Sequence, residues 1–137
     1  MVHVQEGGEP PLIAVVDDDA SVRRALSSLL ESSGFRVGTF PSAVALLAWP
    51  DLTEADCLIL DLAMPDMSGS ELISHLRATL QLVPFVVFSA SGDNAQVRSQ
   101  MTDSGAVACL RKPASGPALL AVVRSAVAHY SEGRIDR

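Results

Sequence analysis

Short apolar runs alternate along the chain with segments in which apolar residues recur at helical spacing. A short apolar run is typical of a strand covered on both faces of a sheet, whereas a spacing of three and four residues is typical of a helix that packs on one side. The predicted strands are residues 12–16, 35–40, 57–60, 85–88 and 107–110. The predicted helices contain residues 22–30, 43–48, 72–76, 93–104 and 117–130.

This alternation predicts an α/β fold: a doubly wound, five-stranded parallel sheet with five helices distributed over its two faces. The expected strand order is 2-1-3-4-5, as in flavodoxin-like domains, with right-handed crossovers. We expect one domain over residues 12–130, preceded by a frayed N-terminal segment over residues 1–11 and followed by a C-terminal tail over residues 131–137.

Composition and charge exclude several classes of protein. The 137 residues are 48% hydrophobic and 19% charged, which is typical of a globular domain. The net charge of −6 counts against direct nucleic-acid binding, and no uncharged stretch is long enough to span a membrane. Cys57 and Cys109 each lie inside an apolar run, which predicts buried thiols. With no secretory signal at the N-terminus, these features indicate a cytoplasmic protein.

Acidic residues follow two of the predicted strands directly. Asp17, Asp18 and Asp19 come after the first strand, and Asp61 comes after the third. In the expected strand order these two strands are neighbours at the switch point, so their terminal carboxylates converge. Converging carboxylates repel one another unless a cation lies between them, and Mg²⁺ (or Mn²⁺) suits such a set. For Asp19 we favour the role of N-cap of the first helix.

Ser89 and Lys112 come just after the fourth and fifth predicted strands, at the same edge of the sheet. Lys112 is the only lysine in the chain, and an ammonium group suits a phosphate. An aspartate in a pocket with these cations can attack phosphorus, which makes Asp61 a candidate phosphoryl acceptor. Since the chain has no glycine-rich nucleotide loop, the phosphoryl donor has to come from another molecule.

These sequences resemble the receiver domain of two-component response regulators, a CheY-like family. The resemblance rests on VVDDD at residues 15–19, LDLAMPDMSG at residues 60–69, SA at residues 89–90 and KP at residues 112–113. It covers about residues 12–130. The run DASVRRAL at residues 19–26, with GF at residues 34–35, is similar to the FixJ-like branch.

The resemblance implies a phosphorylation switch that is not a classical enzyme. A histidine kinase or a phosphotransfer protein would phosphorylate Asp61, and a surface that binds a downstream partner, an output domain or a second copy would then change. The implied metal ligands are Asp18, Asp61, the backbone carbonyl of Ala63 and, through water, Asp17. The implied phosphate-binding and switch residues are Lys112, Ser89 and Ala90, with a cis bond between Lys112 and Pro113.

One position departs from the family. Cys109 stands where the family has an aromatic residue that turns inward upon activation. We therefore expect activation to act through the fourth helix or the loop before it. An alternative function is a receiver-fold interaction module that works without phosphorylation. A third class, the haloacid-dehalogenase-like phosphatases, has Asp-x-Asp at its nucleophile, and Ala63 at the second of these positions counts against it.

Overall fold

The computed structural model describes residues 9–64, 66–79, 83–92 and 94–135, so most of the predicted N-terminal segment lies outside the described residues. The strands are β1 (Leu12–Val16), β2 (Arg36–Phe40), β3 (Cys57–Leu60), β4 (Phe85–Ser89) and β5 (Ala108–Arg111). The helices are α1 (Ala20–Ser32), α2 (Ala43–Leu47), α3 (Gly69–Thr79), α4 (Ala95–Asp103) and α5 (Gly116–Ile135). A short 3₁₀ turn, Leu52–Glu54, lies in the segment before β3, where the sequence predicts a loop.

The strands form one parallel sheet in the order β2-β1-β3-β4-β5, as predicted. β2 lies on one side of β1, whereas β3, β4 and β5 lie on the other side, so the strand order reverses between β1 and β3. Val16 pairs with Leu60 at the ends of these two strands, so the residues that follow them leave the sheet side by side. This is the switch point at which α/β folds of this kind bind their ligands.

Two apolar layers cover the sheet, one on each face. All residues of β1, β3 and β4 are buried, and neighbours along each strand point to opposite layers. Ala14 and Val16 belong to the layer under α2, α3 and α4. Ile13 and Val15 belong to the layer under α1 and α5. Because both faces are covered, the polar residues of the site are confined to the edge formed by the strand ends.

Local signals set most helix boundaries. Asp19 has extended backbone, and its carboxylate accepts the amide protons of Ser21 and Val22, so it is the N-cap of α1, as predicted. Gly34 has a φ of +96°, the left-handed conformation that ends α1. The last helix differs from the expectation: α5 continues to Ile135, five residues beyond the predicted end at Tyr130, and most of the predicted tail is therefore helical. Among the described helices, none has the length and apolar composition that a bilayer crossing requires.

Candidate functional site

The carboxylates of Asp17, Asp18 and Asp61 meet at the switch point. One oxygen of each lies within 4.8 Å of the others. Asp17 and Asp61 are buried, with 2% and 6% of their surface exposed, whereas Asp18 faces solvent. The amides of Asp17 and Asp61 donate to the carbonyls of Phe40 and Val16, so the ladder of the sheet continues into the site and fixes both residues. The predicted convergence of the acidic residues is therefore present.

Lys112 lies between the two buried carboxylates. Its Nζ is 2.6 Å from Oδ2 of Asp17 and 3.3 Å from Oδ2 of Asp61. The same atom lies 5.8 Å from the centre of the Phe88 ring. Desolvation lowers the pKa of Lys112, but the hydrogen bonds and charges of Asp17 and Asp61 outweigh it, so the pKa is raised above its ordinary value. The side chain is therefore a fixed cation at neutral pH.

Backbone amides occupy the other oxygens of the buried carboxylates. Oδ1 of Asp17 accepts from the amide of Asp19 at 2.9 Å, and Oδ1 of Asp61 accepts from the amide of Ala63 at 3.2 Å. Each carboxylate is thus oriented by one backbone bond and one contact with Lys112. Three carboxylates face a single ammonium group, so the cluster retains negative charge, and its ligand atoms are the hard oxygens that Mg²⁺ prefers.

Ser89 lies at the end of β4 with only 2% of its surface exposed. Its hydroxyl is 3.4 Å from the hydroxyl of Ser91. Its carbonyl accepts from the amide of Gly92 at 2.9 Å and from the amide of Lys112 at 3.0 Å. Ala90, the neighbouring residue, is exposed. A tight turn therefore joins the end of β4 to the backbone of Lys112, and the Lys112–Pro113 bond is cis, as the resemblance implied.

Both cysteines are buried and free, as the sequence predicts. Desolvation raises the pKa of Cys57 to about 12 and also raises the pKa of Cys109, so both thiols stay protonated at neutral pH. Cys109 is 4% exposed and lies in the apolar layer that also contains Val87 and Met101. A small thiol thus occupies the position to which the resemblance assigns an aromatic side chain.

Sequence reasoning missed two arginines that hold the loops of the site. Nη1 of Arg23, on α1, donates to the carbonyl of Asp17 at 2.7 Å. Nη1 of Arg98, on α4, donates to the carbonyls of Cys109 at 2.7 Å and Gly92 at 3.1 Å. Arg23 follows the N-cap Asp19 by one helical turn, a spacing that points back toward the loop. Nothing in the sequence indicates the partners of Arg98.

The sheet order, the acidic cluster and the lysine at its edge together define a receiver-type α/β domain. A family model described as the response regulator receiver domain matches residues 13–124. The chain belongs to this family of two-component signalling domains.

Curated relatives and solved structures agree with this assignment. The chain is 37% identical over 116 residues to the response regulator protein TmoT of Ectopseudomonas mendocina, covering 85% of this chain and 52% of that protein. It is 36% identical to the transcriptional regulatory protein FixJ of Bradyrhizobium diazoefficiens, covering 84% of this chain and 56% of that protein. The structure of the response regulator StyR is 40% identical with a TM-score of 0.82, covering 93% of this chain and 64% of that chain. The chain thus spans about half the length of these curated relatives.

Membership of the family carries a general function. Receiver domains are signalling switches rather than classical enzymes, they generally bind Mg²⁺ at an acidic pocket, and they interact with histidine kinases or phosphotransfer proteins and with output domains. The acidic pocket of this chain is the cluster of Asp17, Asp18 and Asp61.

Proposed function

We propose that this chain is a phosphoacceptor switch that takes a phosphoryl group on Asp61 from a sensor histidine kinase or a phosphotransfer protein. The observation that carries the proposal is the shared lysine: one ammonium group contacts Asp61 and its buried neighbour Asp17 at the carboxyl edge of the sheet. An ammonium group in this position can contact the carboxylate before the reaction and a phosphoryl oxygen after it, with little movement.

In the proposed reaction an oxygen of Asp61 attacks phosphorus in line with the bond to the donor's imidazole nitrogen. The phosphorus–oxygen bond forms as the phosphorus–nitrogen bond breaks, and the imidazole leaves with the electron pair and takes up a proton. The backbone bond from Ala63 holds the attacking carboxylate, and the ammonium of Lys112 balances charge on the phosphoryl oxygens. Ser89 supplies a hydroxyl donor from the end of β4.

Mg²⁺ (or Mn²⁺) would lower the repulsion between the phosphoryl group and the acidic cluster. Its proposed ligands are Asp18, Asp61 and the backbone carbonyl of the exposed residue Ala63, with Asp17 acting through a water molecule.

The test is phosphorylation by acetyl phosphate and Mg²⁺, followed by the intact mass of the protein. The wild type should gain the mass of one phosphoryl group, and Asp61→Asn should gain none. Asp51→Asn, at an exposed aspartate in the segment before β3, is the matched control and should behave as the wild type. If Asp61→Asn gains the same mass, another residue is the acceptor and the assignment is wrong.

A second candidate is an interaction module that works without phosphorylation, and the buried Cys109 favours it, since a thiol cannot act as an aromatic lever. If this second function is correct, the folded wild type gains no mass over hours with acetyl phosphate and Mg²⁺. Turnover of many equivalents of a phosphoester would instead identify a phosphatase.

We also propose that the receiver domain spans residues 12–130 and acts in the cytoplasm, since its two free thiols suit a reducing compartment. Its downstream partner would be another protein or an output domain. The relatives TmoT and FixJ are named as a response regulator and a transcriptional regulator, and about half of each lies outside the match. Direct contact with nucleic acid would belong to such an output domain, because the net charge of this chain is −6.

A further inference from the structure

Arg98 joins three segments on the side of the sheet next to the site. It belongs to α4, and its Nη1 donates to the carbonyl of Cys109 on β5 and to the carbonyl of Gly92 in the loop between β4 and α4. The lengths of these bonds are 2.7 Å and 3.1 Å. Both acceptor residues are buried, and hydrogen bonds from a charged donor are stronger than those between neutral groups.

The loop lies directly on β5 at Gly92. A methyl group at this position would overlap the carbonyl group of Leu110, so no larger residue fits while the loop is in place. The amide of Gly92 donates to the carbonyl of Ser89, which also accepts from the amide of Lys112. The carbonyl that Arg98 contacts is therefore connected through two backbone hydrogen bonds to Ser89 and Lys112. A shift of Ser89 therefore either moves Gly92 with it or breaks the hydrogen bond between the Gly92 amide and the Ser89 carbonyl.

Among the described residues, α4 has few other contacts with the body of the domain, and one of them is a hydrogen bond from Arg77 on α3 to the carbonyl of its C-cap, Ser104. Of its residues, all of which the structure describes, only Met101 is buried. Val97 is half-buried against the same apolar layer. A helix with so little buried apolar surface is readily displaced, so the two hydrogen bonds of Arg98 contribute to its position at the end that faces the loop. Cys109 contributes its backbone carbonyl to this connection, whereas its side chain is too small to reach out from the layer.

We propose that Arg98 is the positioning residue through which the β4–α4 loop controls α4. The proposal rests on the proposed function: when Ser89 and Lys112 turn toward a phosphoryl group on Asp61, the Gly92 carbonyl moves, and Arg98 carries that movement to α4. In this movement Arg98 keeps its hydrogen bond to the carbonyl of Cys109, and the backbone of β5 stays in place. In this chain a hydrogen-bonded arginine thus takes the place of an aromatic side chain in the transmission of the signal.

The first part of the test uses the unphosphorylated protein, so that it does not depend on the proposed function. Amide hydrogen exchange is compared for the wild type, Arg98→Met and Arg124→Met, the last at an exposed arginine on α5. Arg98→Met keeps the length of the side chain but removes its donors. We expect the amides of Gly92 and Asn94 to exchange about tenfold faster in Arg98→Met, since two hydrogen bonds from a charged group are lost, and to be unchanged in Arg124→Met.

The second part adds beryllofluoride and Mg²⁺ as a mimic of the phosphorylated state. In the wild type we expect altered exchange both at the amide of Ala63, beside Asp61, and along residues 95–103. In Arg98→Met the change at Ala63 should remain while the change along α4 is lost. Arg98→Lys, which keeps a positive charge and a hydrogen-bond donor group, should restore part of it. If Arg98→Met does not fold, Arg98→Gln is measured in its place, with the same expectation.

The outcomes separate the two proposals. An α4 response in Arg98→Met equal to that of the wild type would overturn the role of Arg98, and so would resting exchange at Gly92 that the substitution leaves unchanged. A wild type that shows no response at Ala63 refutes the phosphoacceptor function, and the transmission role falls with it. In that case faster resting exchange at Gly92 still establishes that Arg98 holds the loop to β5.

Discussion

Lys112 contacts two acidic residues that are buried side by side, Asp17 and Asp61. Asp17 and Asp61 each turn one oxygen toward a backbone amide and the other toward Nζ of Lys112. The contact with Asp17 is the shorter of the two, 2.6 Å against 3.3 Å. Lys112 therefore keeps its contact with Asp17 when the charge on Asp61 changes. This arrangement anchors the ammonium group beside Asp61, the proposed phosphoryl acceptor.

We expect Lys112→Met to lower the free energy of unfolding at pH 7 by about 2 kcal/mol, because two buried carboxylates lose the donor between them. The pKa of Lys112 is raised above its ordinary value of 10.5 in the folded protein. The stability that follows from this shift is fully present below pH 10.5 and is lost as the pH rises through the folded value. The difference between wild type and variant should therefore narrow above pH 10.5.

Guanidinium unfolding between pH 7 and pH 11 measures this difference. Arg124→Met, at an exposed site on α5, removes a cation of the same sign and is the control. If Lys112→Met and Arg124→Met are equally stable at pH 7, the lysine does not stabilise the buried pair.

At the scale of elements, a carboxylate from one segment supports the start of a distant helix. Oδ2 of Asp66, in the segment between β3 and α3, accepts from the amide of Val44 at 2.9 Å. Val44 lies in the first turn of α2, whose N-cap is Ser42. The helix is short and has orphan amides at this end, so a second acceptor stabilises it. The segment that follows Asp61 is thereby attached to α2.

Asp66→Ala should lower the melting temperature at pH 7 by removing this acceptor. Backbone hydrogen bonds, chiefly from Val44, lower the pKa of Asp66 below its ordinary value of 3.8. A lowered pKa stabilises the fold above the ordinary value, and this contribution is lost as the pH falls through the folded value. The two proteins should therefore converge in stability in strongly acidic solution, as thermal unfolding at pH 7 and below pH 3.8 would show.

Asp66→Asn serves as the matched variant, since it keeps an oxygen acceptor and removes only the charge. Its melting temperature at pH 7 should fall between those of the wild type and Asp66→Ala. If the difference in melting temperature between the wild type and Asp66→Ala increases on acidification, the Asp66 carboxylate does not stabilise α2 in this way.

At the scale of the whole molecule, the sheet and the location of the site are predictable from the sequence for one physical reason. Strands that are buried on both faces read as apolar runs, and parallel strands place their carboxyl ends at one edge. Asp17 and Asp61 follow such a run directly, and Lys112 follows the last run after one intervening residue, Arg111. Their convergence therefore depends only on the strand order, which the alternation of strands and helices favours.

Contacts that depend on how separate segments approach one another could not be predicted in this way. Asp66 has the local features of a turn residue, and its bond to Val44 exists only because α2 packs beside the segment after β3. Arg98 lies on a polar helix, and its acceptors are backbone carbonyls, which carry no sequence signal. The predicted end of α5 at Tyr130 was also wrong. The apolar spacing stops near Tyr130, whereas the helix continues to Ile135.

The distribution of charge over the molecule leads to a last prediction. Asp17, Asp18 and Asp61 place three of the 16 acidic residues at one edge of the sheet. The repulsion among them favours a divalent cation in the folded protein, where the three carboxylates are held together, over the unfolded chain. Mg²⁺ should therefore raise the melting temperature, by an amount that corresponds to about 2.7 kcal/mol at a concentration 100 times Kd.

Asp18→Asn is the variant that isolates this effect, because Asp18 faces solvent and its neutralisation leaves the buried pair with Lys112 intact. Without Mg²⁺ the variant should be at least as stable as the wild type, since one repulsive charge is removed. With Mg²⁺ it should lose most of the rise in melting temperature, whereas Asp51→Asn, at an exposed aspartate away from the site, should retain it. The measurement is thermal unfolding over a series of MgCl₂ concentrations, with NaCl at the same ionic strength to separate binding from screening. A rise that is equal in Asp18→Asn and the wild type would show that the cation binds elsewhere.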